Sequence, residues 1–281
     1  MIAVKIEGRL GNQMFQYAFI YTGARRLNTS FYIDKGIEKF KLYEYFEITK
    51  DRFYLIDKYI FSIQGFKNIF CIHLKRFFYE SINKLFFGDK SITINNEQSI
   101  NEAIQGMKNK QLYIGFFQSE RYFIDYKKEV KSLFSIKEEF KSAFQSVTKG
   151  LDLQRKIVVV HVRRGDYVGL GLTINTSYYH NAIKQVDDKD AFFVFISDDS
   201  KFVESEFSHI SNKFISSNPE IIDFQFLQCA DICILSNSSF SWWGAYLNEK
   251  NPKVIVPKYW LGSREEKEIP INVILDKWIQ L

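Results

Sequence analysis

The chain has 281 residues, enough to bury one large core or two smaller ones, and its 46% hydrophobic and 25% charged content excludes broad disorder. A formal net charge of +5, mostly scattered lysine with no dense basic block, argues against a nucleic-acid track; it is compatible with solvated surface, an anionic small molecule or an acidic membrane surface. Three cysteines, Cys71, Cys229 and Cys233, form no disulfide framework, and no run approaches the roughly 18 apolar residues that a membrane span needs.

The first thirty residues read as strand, turn and helix. Ile2–Ile6 is a short β run, Gly8–Arg9–Leu10–Gly11–Asn12 a tight turn, and residues 13–27 follow helical spacing through Met14, Tyr17, Ala18, Tyr21 and Ala24. A glycine-containing turn at a helix N-terminus can hold an anion or a sugar, because backbone N–H groups there point outward. The pattern is neither a dinucleotide fingerprint nor a P-loop. Residues 31–110 give weak signals. The stretch 53–70 is aromatic and β-branched and suits short strands alternating with turns, whereas His73 to Phe87 is a better helix, with Leu74, Phe77, Phe78, Ile82, Leu85 and Phe86 on one face and Lys75, Arg76 and Lys84 elsewhere. Such a basic amphipathic helix can lie on anionic lipid, although packing on its own core is the commoner fate. A strand at Gln111–Phe116 precedes Gln118–Ser119–Glu120, and helices follow near 125–134 and 137–149. Gly150 suits a helix stop, and the polar segment 149–156 places a domain boundary at 150, giving units 1–150 and 151–281.

Beyond residue 156 the alternation is regular. Strands are predicted at 157–162, 192–196, 213–216, 232–235 and 254–256, with helices near 177–186, 200–207, 219–230 and 240–249 between them. Strands alternating with helices call for a parallel sheet with right-handed crossovers, so the chain is α/β. The run Val158–Val159–Val160–His161–Val162 reads as a buried central strand leading straight into Arg163–Arg164–Gly165–Asp166. Ligands in such sheets sit beyond the carboxyl ends of the strands. Three of these ends carry polar clusters, His161–Asp166, Ser197–Ser200 and Ser236–Ser239. Arginine grips phosphate or carboxylate with two parallel hydrogen bonds; the bland alternative is an arginine pairing with Asp166 as a clasp. Ser239 can cap the next helix, or Ser238 and Ser239 together can hold a phosphate, and Asp223, at a helix start, can accept the N1–H and N2–H donors of a guanine.

Gly8–Arg9–Leu10–Gly11–Asn12–Gln13, His161–Val162–Arg163–Arg164–Gly165–Asp166 and Ser236–Asn237–Ser238–Ser239–Phe240–Ser241–Trp242–Trp243 resemble the motifs of the α-1,2-fucosyltransferases, relatives of protein O-fucosyltransferases and core α-1,6-fucosyltransferases. Gly115–Phe116–Phe117–Gln118–Ser119–Glu120 and the segment 193–199 resemble the bacterial members, so the similarity spans nearly the whole chain. The resemblance implies a GT-B-like fold of two Rossmann-like lobes with a cleft between them, residues 1–150 on the acceptor side and 151–281 binding the donor. It implies GDP-β-L-fucose as donor, a galactose-terminated glycan as acceptor and an α-linked product formed with inversion, without a metal or other cofactor. Carried over by residue, Arg163 holds the β-phosphate, His161 lies near the nucleoside, Asp223 reads guanine, and Asn12 stands at the scissile bond. Gly11, Asp199, Ser238, Ser239 and Phe240 complete the expected donor site. Core fucosyltransferases carry a glutamate base just beyond the arginine motif; Val168–Gly169–Leu170–Gly171 offers no acid there and no base is identified, Asp166 being either a base or a member of a structural ion pair and Arg164 a clasp for Asp166 or a neighbouring loop. Asp188–Lys189–Asp190 mimics a metal-binding D-x-D but sits in a charged turn, where a solvated loop is expected.

The leading expectation is fucosyl transfer to O2 of a terminal β-galactoside. A different linkage on a lipid-linked polysaccharide unit, and a non-enzymatic anion- or RNA-binding protein, are the alternatives. The sequons at Asn28, Asn175 and Asn237, the last inside a key motif, fit a cytoplasmic location, with peripheral contact at the inner membrane as an option.

Overall fold

The computed structural model describes residues 1–36, 38–56, 58–59, 69–88 and 90–281. The chain divides into two compact units, Met1–Ser135 and Ile136–Leu281. The division falls earlier than the predicted 150 because the helix Glu138–Thr148 packs with the second unit: Gln225 Nε2 donates to the Phe140 carbonyl at 3.0 Å, and the Phe144 and Phe226 rings meet at 4.9 Å.

The first unit holds a four-stranded parallel sheet of β1 (Ile2–Lys5), β2 (Phe31–Asp34), β3 (Ser91–Thr93) and β4 (Leu112–Ile114), in the order β2-β1-β4-β3. The helix Leu10–Arg26 follows β1 and buries Met14, Phe15, Tyr17, Ala18 and Phe19. It begins at Leu10 rather than Gln13, so Gly11 and Asn12 lie in its first turn instead of the preceding loop. The helix Ile69–Phe87 supplies Tyr79, Ile82 and Phe87 to a cluster with Ala3 and Tyr32. Of the face its sequence pattern suggested, Ile82 and Phe78 pack inward as expected, whereas Leu74, Phe77, Leu85 and Phe86 are exposed. The strands and turns predicted over 53–70 lie largely outside the described residues.

The second unit carries a six-stranded parallel sheet of β5 (Ile157–Val162), β6 (Phe192–Ser197), β7 (Lys213–Ser216), β8 (Ile232–Ile234), β9 (Lys253–Val256) and β10 (Ile279–Gln280), ordered β10-β9-β8-β5-β6-β7. This is the doubly wound order, in which the chain steps outward from β5 to β7, returns to the far side of β5, and steps outward again. All six residues of β5 are buried, as a central strand covered on both faces requires. Each such valine contributes about 1.5–3 kcal/mol by leaving water. Helix Thr176–Lys184 packs Tyr178, Tyr179 and Ala182 into the same core, and the Tyr178 hydroxyl lies 2.7 Å from the Leu235 carbonyl and 3.0 Å from that of Ile255, just beyond β8 and within β9.

Candidate active site

The doubly wound order places the switch point between β5 and β8, the pair whose following connections run in opposite directions. His161 leaves β5 and Ser236 follows β8 at this point, with Ser236 Oγ 2.9 Å from His161 Nδ1. His161 is buried, and burial first, then the Arg163 guanidinium, lowers its pKa to about 3, against an opposing pull from Asp198. The imidazole is therefore neutral at physiological pH and offers hydrogen bonds rather than charge.

Arg163 is clasped by carboxylates on both sides: Nη1 lies 2.6 Å from Asp198 Oδ2, and Nη2 pairs with Asp166 Oδ1. Its guanidinium also sits 5.2 Å from the centroid of the Tyr167 ring. Arg164 turns the other way, with Nε 3.1 Å from Asp199 Oδ2 and its guanidinium stacked 3.6 Å over Phe202. The arginine paired with Asp166 is thus Arg163, and Arg164 clasps the loop after β6. Asp199 is further committed as the N-cap of the helix Ser200–Glu206, accepting from Phe202 N at 3.1 Å. Both of its carboxylate oxygens have partners in the loop after β6 and the residues it meets.

Asp198, which sequence reasoning quoted only as part of a polar cluster, is the hub of the site. Its Oδ1 accepts from Arg164 N at 2.9 Å and Gly165 N at 3.1 Å while Oδ2 holds Arg163. A Cβ on Gly165 would stand 2.4 Å from Asp198 Oδ2, so the close approach requires glycine. The available signal was the placement of Asp198 at the end of β6, beside the strand that delivers the arginines.

On the other flank, Ser238 is the N-cap residue of the helix Ser239–Tyr246, with no hydrogen bond from its side chain to the first turn. Capping by Ser239, the bland expectation, does not occur, since Ser239 is already the first helical residue. The Phe240 ring lies 5.6 Å from His161 and 5.5 Å from Phe224, linking the switch point to the helix Glu220–Cys229. Asp223 stands in the first turn of that helix, buried, with Ser216 Oγ donating to Oδ1 at 2.5 Å. Burial raises its carboxyl to about 7, the Ser216 bond opposing and Glu220 adding to the rise. His161, Arg163, Asp166, Asp199 and the Ser238–Phe240 turn therefore gather around one sheet edge, with Asp223 one aromatic ring further out. Trp242 and Trp243, though part of the same motif, are core: both are fully buried, and Trp242 Nε1 donates to Val273 O at 2.7 Å.

In the first unit the corresponding loops leave the paired strands β1 and β4. Gln118 Nε2 donates to Asn12 Oδ1 at 2.7 Å, fixing the orientation of that side chain. Gly8, at φ +80, lets Asn12 pack against it, since a Cβ there would stand 2.5 Å from Asn12 Nδ2. Gln16 accepts from Glu7 N at 3.2 Å and donates to Gly115 O at 3.0 Å, which ties the two loops together. Gln13 does the same for the loop after β2, donating to Gly8 O and Lys39 O and accepting from Lys41 N. Gly11 is buried in the first helical turn.

Asp188 of the D-x-D mimic pairs with Lys156 at 3.1 Å in an exposed turn. Among the described residues, no group of three or more His, Cys, Asp or Glu side chains is arranged to hold a metal ion, and no helix is long and apolar enough to cross a membrane.

Residues 94–281 match the family model described as Glycosyl transferase family 11. Over 100% of this chain and 99% of the relative, the sequence is 30% identical to the alpha-1,2-colitosyltransferase of Escherichia coli. It is 25% identical to the O-antigen biosynthesis glycosyltransferase WbnK of Escherichia coli, covering 98% and 99% of the two chains. Among solved structures, it resembles the fucosyltransferase NodZ from Bradyrhizobium, with a TM-score of 0.55 at 14% identity over 90% of this chain and 94% of that one. The doubly wound parallel sheet and the likeness to NodZ make the fold a GT-B-like one, and the chain belongs to glycosyl transferase family 11.

Proposed function

We propose that the chain transfers L-fucose from GDP-β-L-fucose to O2 of a terminal β-galactoside, with inversion and without a metal. The observation that carries this reading is the gathering of His161, Arg163 and the Ser238–Phe240 turn at the β5/β8 switch point, with Asp223 on the adjoining helix. A guanine with its N1–H and N2–H donors suits the Asp223 carboxylate, and a diphosphate suits a guanidinium beside an N-terminal helical turn. As the sugar departs, negative charge grows on the β-phosphate. A positioned donor at that oxygen is typically worth about 3–4 kcal/mol of barrier. Arg163 supplies this donor by exchanging a carboxylate partner for phosphate, while Asp198 and Arg164 keep the loop in shape. Asn12, held by Gln118, orients the reacting sugar, and Gly11 presents its helical turn to the donor. Asp166, paired with Arg163, is the candidate base in this reading, and that role depends on release from the ion pair.

The 30% identical relative named as an alpha-1,2-colitosyltransferase favours a second reading, in which the transferred sugar is colitose in place of fucose. Incubation of the purified chain with lactose and each GDP-sugar, with the new linkage located by NMR, separates the two. An α-1,2-fucosylated product formed in the presence of EDTA is expected. Loss of activity in EDTA overturns the metal-free mechanism, and absence of both transfer and thermal protection by GDP overturns the donor assignment.

A further inference from the structure

We propose that the helix Ile69–Phe87 of the first unit is a docking surface for an anionic lipid membrane. The helix has two apolar sides. One, carrying Tyr79, Ile82 and Phe87, is buried against Ala3 and Tyr32. On the other, Leu74, Phe77 and Leu85 recur at helical spacing around Ser81 and face solvent, with Phe77 67% and Leu85 77% exposed. Leu55 and Tyr59, also exposed, lie in the segment before it. Isolated exposed leucines are ordinary; a row of them with an aromatic along about 16 Å of one helix is not.

Charge selects the occupant. The helix carries Lys75, Arg76 and Lys84 against the single carboxylate Glu80, and Lys58 precedes it. Arg76 and Glu80 pair on the surface at 2.8 Å, and exposed Lys84 lies on the same side of the helix as Phe77. Two copies of this face would bring like charges together, whereas acidic headgroups complement them while Phe77 and Leu85 enter the acyl boundary. The helix does not meet the criteria for a membrane span, so its geometry is that of a surface helix lying in the interface.

The test is co-sedimentation of the intact protein with vesicles of phosphatidylcholine alone or mixed with phosphatidylglycerol. Binding to the mixed vesicles only, weakened by salt, is expected. Phe77→Glu/Leu85→Glu should lower the partition coefficient by at least about tenfold and Lys84→Glu by a few fold. Thermal stabilisation by GDP should be unchanged in both, which separates lost docking from lost folding. The proposal is overturned if the wild type ignores the anionic vesicles, if it binds both compositions equally, or if the double variant still binds. A concentration-dependent dimer that the double variant dissolves would overturn it in favour of a self-association face.

Discussion

Asp223→Asn tests the nucleotide site through pH. The rise of the Asp223 carboxyl from 3.8 to about 7 comes chiefly from burial. At 1.36 kcal/mol per pH unit, ionising this residue in the folded protein costs about 4 kcal/mol more than in the unfolded chain. The sign follows from proton counting. Between pH 3.8 and about 7 the folded state holds a proton that the unfolded state has lost, so this group's contribution to stability falls as pH rises through that window. Asparagine keeps an acceptor for Ser216 and never ionises. The variant should therefore exceed the wild type by about 2 kcal/mol at around pH 5 and by about 4 kcal/mol at around pH 8, read as urea midpoints at constant slope. His161 has the opposite slope, because its lowered pKa adds stability as pH rises from about 3 to 6.5. That contribution is common to both proteins and cancels in the difference. GDP binding should show the reverse preference: the ionised carboxylate is the acceptor, so wild-type affinity should fall by up to about tenfold per unit below pH 7, and the variant should bind GDP weakly at all pH values. A stability difference that does not change with pH, or a variant less stable than wild type at high pH, would refute the reasoning.

Arg163→Lys should lose at least about a hundredfold in kcat, because lysine lacks the planar fork that spans two oxygens; steady-state kinetics with GDP-fucose checks this, and near-normal turnover removes Arg163 from the phosphate role. Asp166→Asn frees Arg163 from one competitor, so GDP should bind severalfold more tightly by calorimetry; if the pH–rate profile also loses the limb that reports a general base, Asp166 is that base. Gly165→Ala pushes a methyl group toward Asp198 and should cost about 1–3 kcal/mol in urea denaturation, with activity lost alongside because the displaced carboxylate positions Arg163.

The second unit was legible because its strands are β-branched or apolar runs between polar loops, and β5 through β9 stand where such runs occur. β10 was missed: two residues, Ile279 and Gln280, carry no period. In the first unit β2 and β3 were missed for related reasons. Phe31–Asp34 is short and aromatic, and Ser91–Thr93 is only three residues long. The helix before β3 was found, but only Phe78 and Ile82 of its predicted buried side pack inward, because apolar residues surround the helix and periodicity cannot choose between two apolar faces. At the site, the residue types were readable while their pairing was not. Which arginine meets Asp166 depends on the turn after β5, and the importance of Asp198 depends on β5 and β6 being neighbours, a fact of topology rather than of local sequence.

The double clasp on Arg163 has a consequence for turnover. An occupant that takes hold of Arg163 has to displace a carboxylate already paired with the guanidinium, so the site is selective for charge as well as shape. In the proposed reaction the donor's β-phosphate is a sugar ester with one negative charge, whereas the GDP left behind can ionise once more near neutral pH. The product is then the better competitor for Arg163. Transfer should slow as GDP accumulates, release of the nucleotide should limit the steady state, and an enzyme that hydrolyses GDP should raise the yield without touching the chemical step.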